Sequence, residues 1–201
     1  MAMAGTRPVI KFAEQMIIAF SKLIPIGPKK SFYVSAMVLG PLLGSFITEP
    51  AAMTVTALIL QKNFCAKPDM STKFKYATIG LVFVNVSIGG TLSHFAAPPV
   101  LMVAGKWGWG FGFMLGHFGY KAAIAVVINT LLIAMMNKTE LNGKFDLRPD
   151  NQEHMKPRWW MTFIHIIFLE MVVLKAHHLV FFLCVFLFFL GFTIFHLYYH
   201  D

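Results

Sequence analysis

One carboxylate, Glu49, is the only formal charge between Ser31 and Leu60, in a run that is otherwise apolar from Phe32 onward. A carboxylate held away from water has its pKa raised, and a neighbouring cation opposes that shift. Glu49 is therefore suited to trading a proton for a cation. Hydroxyls gather around it: Ser45 and Thr48 just before, Thr54 and Thr56 just after. A second constellation, Asn85, Ser87, Thr91 and Ser93, straddles Gly89-Gly90. Its side-chain oxygens, together with carbonyls exposed where a helix unwinds, suit a small hard cation such as sodium. His94 follows directly, and histidine is the side-chain type most often used to relay protons. Plainer readings stand beside each. Glu49 as a helix-terminal carboxylate would bond freed N–H groups near Pro50. The Asn/Ser/Thr set as packing glue would bond across helices, and His94 would be a hydrogen-bonded structural group. His165, Glu170, His177 and His178 lie near the ends of the last two apolar runs and read as mostly structural, with Glu170 and Lys175 as a pair.

These groups need backbone that departs from a regular helix, and the sequence supplies it. In GPLLGSFITEPAAMTVTALIL (Gly40–Leu60), Gly40-Pro41, Gly44 and Pro50 weaken the helical ladder, because proline lacks a donor and glycine adds backbone freedom. The run from Phe32 to Leu60 is long enough to cross a bilayer. A carboxylate in its middle costs about 2.5–3.5 kcal/mol on insertion scales. A broken helix with a carboxylate and hydroxyls at that depth is how carriers build cation sites. The second interruption is NVSIGGTLSHFAAPPV (Asn85–Val100), where Gly89-Gly90 and Pro98-Pro99 are incompatible with an undisturbed helix. The reading there is a helix over about Tyr76–Ile88, an unwound segment, then a short second helix or re-entrant turn. Such backbone is tolerable in a membrane only when buried in protein or lining a wet cavity.

Composition sets the environment. The chain has 201 residues, 57% hydrophobic and 13% charged, with a mean hydropathy of +0.66. A soluble domain carries roughly 45–50% apolar and about 25% charged residues, so an integral membrane protein is expected. The net charge of +8 does not mark a nucleic-acid binder. The basic residues fall in short segments between apolar runs, at Lys29-Lys30, Lys62 to Lys75 and Lys138 to Arg158, as loops flanking membrane spans do. Cys65 and Cys184 are isolated and suggest neither a disulfide framework nor a metal site.

Along the chain, Val9–Ile24 has helical periodicity with Lys11, Glu14, Gln15 and Lys22 on the polar face. Within a segment 1–28 it reads as an amphipathic helix in the membrane interface or packed on the bundle, with a gating element as the sharper alternative. Residues 31–136 read as a broken-helix transport core, 137–158 as a polar loop, and 159–201 as further spans. Gln61–Lys75, with Lys62, Lys67, Lys73, Lys75 and Asp69, reads as a cytoplasmic loop. Trp107 and Trp109 in KWGWGFGFMLGHFGY, and Trp159-Trp160, suit the membrane interface. Lys121–Met136 reads as a shorter helix, and Ala176–His200 as a span. The N-terminus lacks the apolar core of a cleavable signal peptide. The C-terminus stops directly after an apolar run, which reads as part of a larger transporter or one repeat unit. Nothing resembles a nucleophile triad, a Walker loop or a metal-ligand cluster, and GWGFGF has no strand context for a nucleotide loop. No enzymatic activity is expected.

GSFITEPAAMT (Gly44–Thr54) and NVSIGGTLSHFAAPPV (Asn85–Val100) resemble the bacterial sodium/proton antiporters of the ion transporter superfamily, relatives of arsenite and dicarboxylate carriers. The resemblance runs over roughly Arg7 to Asp201. The second motif is similar to that superfamily's Gly-Gly, Thr/Ser, Pro-Pro signature. Related antiporters commonly carry an acid just before the proline pair. Here Ala97 stands there, so Glu49 would have to serve. The relatives look about twice as long, with two inverted repeats, and the resemblance implies that this chain is an internal piece.

The resulting expectation is an all-α, polytopic membrane protein with broken or re-entrant helices and about five spans, in the bacterial inner membrane. It would carry sodium against protons, with no cofactor beyond the transported Na+ and H+. The ion site would draw on Glu49, Thr48, Ser45, Asn85, Ser87, Thr91 and Ser93, with His94 as relay and Gly44, Pro50, Gly89, Gly90, Pro98 and Pro99 as helix breaks. Its partners would be the lipid bilayer, small inorganic ions, the remainder of the transporter chain and a second copy in a homodimer, with no nucleic acid. The alternatives are an anion carrier for a carboxylate or oxyanion, and a non-transporting scaffold subunit.

Overall fold

The computed structural model describes residues 7–65, 70–142, 163, 164, 167, 168, 171 and 179–199. Among these, every regular element is helical: α1 Arg7–Leu23, α2 Pro28–Ile47, α3 Glu49–Leu60, α4 Thr72–Gly89, α5 Pro98–Trp107, α6 Phe111–Met114, α7 Tyr120–Met136, α8 Lys138–Leu141 and α9 Leu179–Tyr199. Wide helical turns at Gln61–Cys65 and Leu115–Gly119 and a tight one at Gly90–Leu92 complete them. Two stretches, Thr72–Leu92 and Phe111–Met136, are long and apolar enough to cross a bilayer by length and composition.

Helix α2 is the hub, packing against α1, α3, α4 and α7. The run from Phe32 to Leu60 does not cross as one interrupted helix. It folds as two helices lying side by side and antiparallel, with the reversal at Thr48. Three contacts fix that register. A Cβ at Gly44 would stand 2.9 Å from the Ala52 Cβ, one at Gly40 would collide with the Thr56 side chain, and the Phe32 and Phe64 rings stack with centroids 6.1 Å apart. Residue numbers rise on one side as they fall on the other. Gly40 and Gly44 are one turn apart on α2, as Ala52 and Thr56 are on α3. Small residues in that spacing let two helix backbones approach closely. The chain can reverse because Thr48 adopts φ 89 and ψ 148, a region almost reserved for glycine. Holding a threonine there costs about 1–3 kcal/mol. Pro50, in the first turn of α3, removes a donor that would be unpaired there anyway.

Pro41, read as a weakness in the ladder, lies inside α2 without ending it. Helix α4 starts earlier than its apolar run suggests. Ser71 caps it, its Oγ accepting from the Phe74 N–H at 3.2 Å, and Phe74 is fully buried. The lysines at 73 and 75 therefore sit in a first helical turn rather than a loop. The short helix expected over Lys121–Met136 is also longer. Its helical path begins at Phe111 and passes through a wide turn at Leu115–Gly119. The glycines there do not interrupt it, and Gly119 brings the path against Leu92, whose Cγ would lie 3.6 Å from an added Cβ. Helix α8 occupies the first residues of the expected polar loop and buries Leu141.

α4 runs parallel to α2 and antiparallel to α7. Gly89 sits against Pro41, and Asn85 bonds the Met37 carbonyl at 3.2 Å and Thr130 at 2.9 Å. α1 lays Ala13 and Ile17 on the core, while Glu14 pairs with Lys62 at 3.2 Å. One end of the bundle is basic: Lys29 and Lys30 open α2, Lys62 follows α3, Lys73 and Lys75 open α4, and Lys138 follows α7. Tyr33, Phe64 and Phe74 pack beneath them. The Thr48 reversal lies at the opposite end of α3 from Lys62. Lys67, Asp69, Trp159, Trp160, His165, Glu170, Lys175, His177 and His178 lie outside the described residues, as does most of the 137–158 loop.

Candidate functional site

The site forms where two interruptions of the chain meet. The first is the α2–α3 reversal. The second is the stretch after α4, where Gly90–Leu92 tightens, Ser93–Ala97 is irregular and α5 starts at Pro98. The Glu49 N–H, which has no helical acceptor at the start of α3, donates to the Ala96 carbonyl at 3.2 Å. Gly90 makes room for the approach. A Cβ there would lie 3.2 Å from that of Ala97 and 3.8 Å from that of Glu49. Ser45, fully buried, donates to the Gly89 carbonyl. The end of α2 is thereby tied to the end of α4.

Glu49 itself is half-buried, and its Oε1 accepts from the Ser87 hydroxyl at 2.6 Å. That short bond to a charged acceptor is of the stronger kind. It spans two helices that each end or begin at an interruption. Ser87 is exposed among the described residues, so the pair faces outward from the core. The Glu49 carboxylate also sits in the first turn of α3, where the positive end of the helix dipole favours negative charge. Its recorded side-chain partner is Ser87 on α4, across the interruption. Among the described residues the other carboxylates are elsewhere: Glu14 is paired with Lys62, and Glu140 accepts from the Ser71 N–H at 3.5 Å.

Of the residues singled out from sequence, the structure brings Glu49, Ser87 and the Thr48 backbone to one place, with Ser45 tying the helices behind them. Ser93 and His94 are in the adjoining irregular stretch. The Ser93 Oγ is fully buried and has no hydrogen-bond partner, and the His94 Nδ1 is also without one. The His94 ring stands edge-on to Phe95, with centroids 5.1 Å apart. Thr91 bonds back to the Ile88 carbonyl at 2.7 Å, which satisfies the last turn of α4. Thr54 bonds back to the Pro50 carbonyl at 2.9 Å on an exposed face. Asn85 is elsewhere. It lies two residues from Ser87, about 200° around the helix, fully buried among α2, α4 and α7. There it bonds across helices, as polar glue does.

Some contributors escaped the sequence reading. The Ala96 carbonyl carries no side-chain signal. Gly40 and Gly44, read from sequence as weak points of the ladder, instead seat Thr56 and Ala52 in a tight helix pair, a role their GxxxG spacing could have signalled. Asn129 and Thr130, which meet Asn85, fell in a run read only as a helix.

The Glu49–Ser87 pair lies at a double chain break, and two of the described helices are long and apolar enough to cross a bilayer by length and composition. The chain belongs to the family described as "Putative Na+/H+ antiporter", which it matches over residues 1–201. It is thus a membrane transporter of the cation/proton antiport type rather than an enzyme. No curated protein and no solved structure matches it.

Proposed function

We propose that the protein exchanges sodium for protons across the bacterial inner membrane, and that Glu49 carries both ions in turn. The observation that carries this reading is the Glu49–Ser87 bond at 2.6 Å where two interrupted helices meet. When Glu49 is ionised, its carboxylate and the Ser87 oxygen offer hard oxygen donors to a small cation. The buried, unpartnered Ser93 hydroxyl lies in the segment bonded to the Glu49 backbone and is the next donor available. When Glu49 is protonated, it no longer attracts the cation. Each ion expels the other, and that competition couples the fluxes. In this reading the proton relay is His94, whose Nδ1 is buried without a hydrogen-bond partner in the same irregular stretch.

The anion-carrier alternative fits less well. An oxyanion site uses the free N–H groups of a helix N-terminus. The first turn of α3 holds a carboxylate, and α5 opens with Pro98-Pro99, which have no N–H to give. We further read the chain as one part of a longer inverted-repeat carrier of the ion transporter superfamily, on the strength of the motif resemblance.

The test is sodium-dependent proton flux in proteoliposomes. The reading expects flux in both directions of the gradient and an apparent KM for sodium that rises as pH falls, because protons occupy the shared carboxylate. Flux whose sodium KM is independent of pH, or an absence of sodium-driven proton movement, would overturn it.

A further inference from the structure

The residue that most needs explaining is Pro41. It stands inside α2, where it has no N–H to give the Met37 carbonyl four residues earlier. Met37 is fully buried, so that carbonyl has no water to turn to. A buried acceptor left unpaired is costly, and proline is tolerated in such helices when neighbouring helices supply the missing donor. Here the donor is Asn85 of α4. Its amide nitrogen lies 2.9 Å from the Thr130 Oγ1, 3.2 Å from the Met37 carbonyl and 3.4 Å from the Val126 carbonyl. The nitrogen has two hydrogens. The Thr130 hydroxyl has one hydrogen, which is better placed for the Val126 carbonyl at 2.7 Å than for the Met37 carbonyl at 3.4 Å, so the two Asn85 hydrogens go to Thr130 and Met37. The amide oxygen in turn accepts from Asn129 at 3.4 Å.

We propose that Asn85 is a positioning residue for ion exchange: it replaces the hydrogen bond that Pro41 removes from α2, and so fixes the segment of α2 that delivers Glu49. The mechanical path is short. One turn beyond Asn85, Gly89 packs against the Pro41 carbonyl. The Gly89 carbonyl accepts from Ser45, and the reversal at Thr48 follows three residues later. A loss at Asn85 frees the Pro41 turn and lets α2 and α4 slide where Glu49 and Ser87 must meet. This inference rests on the reading of Glu49 as the carrier site.

The experiment is a cycle of four proteins, wild type, Asn85→Ala, Pro41→Ala and the double variant, with Asn85→Leu as a version that keeps the branched side-chain shape without the amide. Pro41→Ala restores the backbone N–H facing Met37 while leaving the Pro41 carbonyl position against Gly89 intact. Sodium-dependent proton flux in proteoliposomes should show the KM for sodium raised roughly tenfold in Asn85→Ala, the scale of a buried carbonyl left unpaired. The added Pro41→Ala should bring it back to within about threefold of wild type. Pro41→Ala alone should change KM by less than about threefold. A general loss of packing would lower the amount of folded protein without this rescue. The thermal midpoints of the same four proteins in detergent report the cap independently of transport. Rescue of the midpoint without any sodium-driven flux in the wild type would sink the carrier reading and keep the cap, but it would leave no exchange for Asn85 to position and so overturn this proposal. Additive effects of the two substitutions on midpoint and KM, or a wild-type KM in Asn85→Ala and Asn85→Leu, would also overturn it.

Discussion

Gly89 offers the sharpest perturbation of the architecture. A methyl group added there would collide with the carbonyl oxygen of Pro41 and lie 2.8 Å from its carbonyl carbon. Both are backbone atoms of a helix, so no rotamer change relieves the clash. Ordinary carbon contacts lie at about 3.5–4.0 Å, so α4 must retreat from α2 by roughly 1 Å. Overpacking of this kind costs about 1–3 kcal/mol. The retreat also stretches the Ser45 bond to the Gly89 carbonyl and the Asn85 bond to Met37, each worth about 1 kcal/mol. Gly89→Ala should therefore destabilise the protein by about 3–5 kcal/mol in all if both bonds are lost. The control lies on the same helix. Nothing stands within 4 Å of a Cβ added at Gly80, so Gly80→Ala should stabilise α4 by about 0.5–1 kcal/mol through backbone entropy alone. Thermal unfolding of the two variants in detergent, with sodium-dependent proton flux in proteoliposomes, measures both effects. The packing argument is wrong if Gly89→Ala unfolds at the same temperature as Gly80→Ala and transports normally.

Other outcomes follow from the same contacts. Thr48→Gly removes the strain of a threonine at φ 89 and should raise stability by up to about 1–3 kcal/mol, while loosening the reversal that presents Glu49; a thermal midpoint at or below wild type would contradict this. Burial pushes the Cys65 thiol above its ordinary value, and the nearby Lys75 charge pulls it part of the way back. Maleimide labelling of purified protein, with Cys184 replaced, should therefore still be gaining rate at pH values where a free thiol has levelled off, and Lys75→Gln should slow it further at a given pH; a profile like that of free cysteine would refute the reading. The reading that the lysine-rich end of the bundle near Cys65 faces the cytoplasm predicts that an impermeant thiol reagent applied to intact cells leaves Cys65 unlabelled; labelling there would contradict it.

Much of this arrangement was written in residue types. Glu49 announced itself as the one charge in an apolar run, and Gly89-Gly90 with Pro98-Pro99 marked the second interruption, which the structure places at Gly90–Ala97. What the sequence hid was direction. A glycine and proline cluster signals a break and does not say whether the chain continues or turns back. The reversal at Thr48 depends on a φ that threonine rarely adopts, and on the fit of Gly40 and Gly44 against Thr56 and Ala52. Asn85 and Ser87 looked like one constellation because they are two residues apart, and helical geometry sends them to opposite faces. The hydrogen bond from Asn85 to the Met37 carbonyl could be seen only once Pro41 was found inside a helix rather than at its end.

The most direct test of the central claim is Glu49→Gln, which keeps the shape of the side chain, can still accept from Ser87, and carries no exchangeable charge. Reconstituted in proteoliposomes, it should insert and fold like the wild type yet show no sodium-dependent proton flux, whereas Glu49→Asp should retain partial exchange with a shifted pH profile. Sodium-driven proton movement in Glu49→Gln, with the pH dependence of the wild type, would contradict the account and move the coupling acid elsewhere in the chain.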